Sequence, residues 1–155
     1  MKSFNDIQYK DETYDHVMHA YVQKHKKVKD EKVLFLSGKH FYFYDKDELK
    51  GIKTLVHLKK LNEIKYLDDT IKDFNNLLKK NTYVYGKFIA SKPMLSLKTH
   101  ILYGKLIDVI FNLLDNKIDR SLTPRIVTAL FSAYQFKILD MTEIDGVTYF
   151  HAKKI

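Results

Sequence analysis

The chain has 155 residues, 45% of them apolar, which suffices for one domain with its own core and excludes wholesale disorder. It carries a net charge of +8 and contains no cysteine, so disulfides, thiol catalysis and thiolate metal sites are excluded. The basic charge favours an anionic partner, although it is evenly spread: residues 1–60 and 61–155 are each +4. Only Arg120 and Arg125 are arginine, a lysine skew that reflects an AT-rich genome. The N-terminus lacks the apolar stretch of a signal peptide, and no window reaches the roughly 20 apolar residues needed to span a bilayer. The expected location is therefore cytoplasmic.

Residues 12–25 read as an amphipathic helix with Tyr14, Val17, Met18, Tyr21 and Val22 on one face. Its downstream flank, with Lys24, Lys26, Lys27, Lys29 and Lys32, is the densest basic run and a candidate for contacting phosphates. His16 and His19 lie one turn apart on this helix, with His25 nearly two turns beyond His19. No carboxylate or thiolate stands at a recognisable zinc spacing from them, so no metal site is expected. Val33–Leu36 and His40–Tyr44 are β-rich runs about Gly38, which predicts a β-hairpin. Its alternation puts Tyr42 and Tyr44 on one face near Lys39, an arrangement able to stack unpaired bases. Asp45, Glu48 and Lys50 loosely match the acid and lysine set of metal-dependent nucleases, but they fall in a loop rather than on a strand.

Residues 52–64 are open between a short strand over Thr54–Leu58 and the start of a helix. A helix is predicted from Asp68 or Asp69 to Lys80, with Ile71, Phe74, Leu77 and Leu78 inward and acids in its first turn. Thr82–Ile89 is extended, with Gly86 marking a bulge, and Ser91-Lys92-Pro93 closes this half. Leu97–Leu114 reads as a long apolar helix, and Asn116–Leu122 as a polar loop. Thr123 and Pro124 are the cap and first residue of a helix reaching Gln135. Phe136–Asp140 and Val147–His151 then pair about a turn ending at Asp145-Gly146.

Helix, helix, then hairpin is the element order of winged-helix DNA-binding domains, which residues 68–154 resemble. The expected fold class is α+β: an N-terminal helix and hairpin (residues 1–66) followed by a winged-helix-like domain (residues 67–155). The resemblance implies that Arg125, Thr128, Ser132 and Gln135 enter a major groove. With Lys24, Lys26, Lys27, Lys29 and Lys39 on phosphates, the reading is a non-enzymatic DNA-binding regulator or accessory factor of a phage or mobile element. The hairpin tip holds Asp140, Glu143 and Asp145, which favours an alternative: a protein-binding inhibitor or adaptor acting on a host protein. Neither reading calls for a cofactor or a membrane, and both are compatible with a homodimer. There is no Gly-rich phosphate loop and no nucleophile-elbow serine, so no catalytic residue is assigned.

Overall fold

The computed structural model describes residues 15–26, 32–36, 49, 51–91 and 120–155. The expected second hairpin arm at His40–Tyr44 and the expected helix over Leu97–Leu114 lie outside them.

Helix α1 (His16–His25) begins where Asp15 accepts a hydrogen bond from the Met18 amide at 2.9 Å. The same carboxylate meets Lys87 Nζ at 2.5 Å, which ties the helix to the sheet. Strand β1 (Val33–Leu36) pairs in parallel with β2 (Thr54–Lys60), and β2 pairs in parallel with β3 (Tyr83–Phe88). The open reading of residues 52–64 thus resolves as a strand followed by a 3₁₀ turn over Leu61–Glu63. Helix α2 (Leu67–Leu77) crosses between β2 and β3, burying Leu67, Ile71 and Phe74.

Helix α3 (Pro124–Ala133) is capped by Thr123, whose Oγ1 accepts from the Ile126 amide at 3.2 Å. It leads into the hairpin of β4 (Phe136–Ile144) and β5 (Val147–Lys154). Asp145 and Gly146 turn it with φ of 50° and 77°, the left-handed pair that a tight hairpin requires. The sheet order is β1-β2-β3-β5-β4, so β5 runs antiparallel between β3 and β4. The hairpin is therefore an integral part of a five-stranded mixed sheet, not a peripheral wing. Residues from both sides of position 66 contribute to that one sheet.

One face of the sheet carries the larger core: Leu55, Val84, Phe88, Phe150 and Ala152 beneath α2 and α3. The other face packs Val56, Tyr85 and Tyr149 under α1. Lys154 locks the last strand to the end of α2, donating to the carbonyls of Asn75 and, at 2.7 Å, Leu78. Among the described residues, no helix is long and apolar enough to cross a membrane.

The β2–β3 register shifts between Val56 and Lys60, opposite Gly86, so the irregularity signalled by this glycine lies on its β2 side. Gly86 also pairs with Phe150, and a Cβ there would stand 2.6 Å from the Phe150 ring. Gly86→Ala should therefore cost about 1–3 kcal/mol through overpacking. Urea unfolding measures this, and an unchanged midpoint would show that the ring gives way freely.

Candidate active site

In an open sheet of parallel strands, ligands bind outside the strands' carboxyl ends. At that edge β1 and β2 and the start of α2 enclose a cleft of about 260 Å³. Leu36, His57 and Lys59 reach it from the strands, Ile64, Lys65 and Tyr66 from the connection, and Asp69, Thr70, Asp73 and Phe74 from α2.

His57 is 5% exposed. Its Nδ1 lies 2.9 Å from the Lys59 carbonyl, which can only accept, so Nδ1 carries the proton and Nε2 is the acceptor. Burial holds the imidazole below its ordinary value, against the opposing pull of that hydrogen bond. Asp69 and Asp73 are four residues apart on α2, hence neighbours on one face. Burial and the Asp69 charge both push the Asp73 carboxyl up, with Lys72 opposing. Asp68, by contrast, turns away to accept from Tyr134 Oη at 2.7 Å, which joins α2 to α3.

The cleft wall is held by Asn62. Its Nδ2 donates to the carbonyls of Ile89 (3.1 Å) and Arg120 (2.7 Å), and its Oδ1 accepts from the Ile89 amide at 2.7 Å. Arg120 Nη2 in turn donates to the Lys65 carbonyl. The segment entering α3 is thereby stitched to the loop lining the cleft.

Of the residues singled out from sequence, those that the structure describes lie elsewhere. Lys24 lies in the last turn of α1, and Lys26 follows that helix, its amide donating to Val22 O at 2.8 Å. Lys27, Lys29, Lys39, Tyr42 and Tyr44 fall outside the described residues, as do Asp45, Glu48 and Lys50. Arg125, Thr128 and Ser132 are exposed on α3, where Thr128 Oγ1 donates back to the Pro124 carbonyl at 2.8 Å. Gln135 lies past the end of that helix with φ of 62°, forming the turn into β4. None of the described ones among them lines the cleft.

No protein-family model matches the chain, and no curated protein matches it. Solved structures do. An O-methyltransferase family 2 protein from Planctomyces limnophilus, in complex with apigenin, is 9% identical over 90% of this chain and 46% of its own, with a TM-score of 0.52. Human N-acetylserotonin methyltransferase in complex with SAM is 13% identical over 66% and 29%, TM-score 0.44. A possible exported protein from Bordetella parapertussis is 16% identical over 72% and 42%, TM-score 0.47. The chain thus spans less than half the length of these structures.

The Planctomyces comparison and the sheet order overturn the winged-helix resemblance. The two folds share a helix followed by a terminal hairpin, but here the hairpin joins parallel strands that a winged helix does not have. The Planctomyces neighbour is an O-methyltransferase family 2 protein. The readings built on the resemblance fall with it: the non-enzymatic DNA-binding regulator, the phage inhibitor or adaptor, and nucleic acid or a host protein as partner.

His57 supplies a test of the site's electrostatics. The unfolded chain takes up its proton as the pH falls through about 6.5, whereas the folded chain resists. Its contribution to stability is therefore full above that pH and is lost as the pH falls toward the lower folded value. His57→Phe should flatten the dependence of the urea midpoint on pH between about 7.5 and 5.5. A slope equal to that of the parent would contradict the burial argument.

Proposed function

We propose that this cleft binds S-adenosylmethionine and that the chain acts as, or as part of, a small-molecule methyltransferase. The observation that carries the reading is a like-charge pair, Asp69 and Asp73, facing a cleft at the carboxyl edge of the parallel strands. Two carboxylates held together call for a cation, and this donor carries a sulfonium and an ammonium. The fold shared with the Planctomyces O-methyltransferase supports the assignment.

The donor set fits such a ligand. Asp69 and Asp73 can accept from an ammonium or ribose hydroxyls, and Lys59 and Lys65 can pair with a carboxylate. The described walls enclose about 260 Å³, below the roughly 300–1,000 Å³ usual for drug-sized ligands, so they take part of the molecule. When bound, the sulfonium supplies an electrophilic methyl group. The chain's own contribution to the chemistry is His57, whose Nε2 is a neutral acceptor for the proton of a substrate hydroxyl. A hydroxyl-bearing aromatic, the class that apigenin represents in the Planctomyces protein, is the acceptor we favour.

Calorimetric titration of the full chain with S-adenosylmethionine should give saturable one-site binding. Asp69→Asn with Asp73→Asn should weaken it by at least about tenfold, equivalent to about 1.4 kcal/mol. Uncharged at sulfur, S-adenosylhomocysteine should lose less in the same variant. An absence of binding, or equal affinity for the parent and the double variant, would overturn the assignment.

A further inference from the structure

On the sheet face opposite the cleft, three side chains from distant parts of the sequence converge. His25 comes from the last turn of α1, Asp140 from β4 and His151 from β5, and their candidate ligand atoms all lie within 4.8 Å of one another. We propose that His25, Asp140 and His151 form a binding site for a divalent transition-metal ion of the zinc class.

The backbone is shaped for this convergence. Along β4 and β5 the register shifts, so that Ile138 pairs with Ala152 but Asp140 pairs with His151. The extra residue, Leu139, is pushed outward and is 43% exposed although apolar. This bulge sets Asp140 directly opposite His151, and bulges that re-aim a side chain are a recurrent feature beside functional sites.

The side chains are held for it as well. His25 Nε2 stands 3.6 Å from Asp140 Oδ2, and the His25 and His151 rings are 4.7 Å apart. Although shielded from solvent, His25 Nε2 has no hydrogen-bond partner among the described residues. A buried polar nitrogen left so is costly, and a metal bond would satisfy it. Tyr21 Oη donates to Asp140 at 2.7 Å and lies 3.3 Å from His151 Nδ1, while Thr142 Oγ1 donates to Asp140 at 2.9 Å. These hydroxyls orient the carboxylate and one imidazole in the way that outer partners of metal ligands do.

Metal–ligand bonds of about 2.0–2.1 Å place ligands of a tetrahedral ion roughly 3.3 Å apart. The His25–Asp140 pair, at 3.6 Å, is already near that spacing. Two imidazoles and one carboxylate suit zinc and its neighbours rather than magnesium or calcium, and they leave a fourth position for water. No linear spacing announces the set, because 115 residues separate His25 from Asp140.

The test is calorimetry of the chelator-treated full chain with zinc alone, with cobalt absorption as a second readout. One zinc per chain is expected, with cobalt bands of a four- or five-coordinate site. Affinity should fall by at least about tenfold in both His25→Gln and Asp140→Asn, with the urea midpoint of each variant checking that it folds. It should persist in His16→Gln with His19→Gln, which removes the other two histidines of α1. Absence of saturable binding, unchanged affinity in the first two variants, or loss of binding in the histidine-pair variant would each overturn the proposal.

Discussion

The architecture depends on one close approach, that of the Phe150 ring to the bare Cα of Gly86. These residues are register partners at the line where the sheet changes from parallel to antiparallel pairing. Only a residue without a Cβ lets the ring settle there. Once seated, Phe150 meets Phe131 of α3 edge-on at 5.0 Å and Phe88 of β3 at 6.1 Å. Phe131 in turn meets Phe136 edge-on at 5.8 Å. Four rings thus set the height of α3 above the sheet and bind the C-terminal hairpin to the parallel strands. Each such aromatic pair contributes about 0.5–1.5 kcal/mol beyond its buried area.

With the two halves of the sheet joined, the cleft follows from polar contacts at its carboxyl edge. Asn62 holds the exit of β3 and the approach to α3 together, and Arg120 extends that hold to the loop beneath the cleft. Helix α2 divides its acids between two tasks. Asp68 is committed to Tyr134, whose hydroxyl is pushed up by burial and by that carboxylate. Asp69 and Asp73 line the cleft, where burial and the Asp69 charge push the Asp73 carboxyl up and Lys72 opposes them. Net basicity therefore misleads about this site: the chain is +8 overall, yet its cleft contains a paired acidic element.

Much of the local structure is legible from sequence, because caps and turns act over a few residues. Thr123-Pro124 and Asp145-Gly146 each signal the boundary they form. The pairing of β1 with β2 is not legible. Val33–Leu36 reads equally well as one arm of a hairpin, and buried parallel strands lack the alternation that marks a half-exposed sheet. The winged-helix expectation rests instead on an element order, helix then hairpin, common to two folds. The cleft residues were hidden for a related reason: His57 lies in the segment open between strand and helix, and Asp69 reads as an ordinary first-turn acid. The i,i+4 spacing of Asp69 and Asp73 was the available signal, but its meaning depends on which strand edge α2 follows.

The two sheet faces divide the chemistry. The face beneath α2 opens to a cleft that sets Asp69 and Asp73 beside Lys59 and Lys65, and the face beneath α1 holds His25 and His151. Amide chemical-shift mapping of the isotopically labelled chain with S-adenosylmethionine separates them directly. The account predicts shifts clustered at His57–Lys59 and Tyr66–Phe74, with Tyr21, His25 and His151 unmoved. Shifts centred on α1, or scattered without reference to the carboxyl edge of β1 and β2, would contradict it.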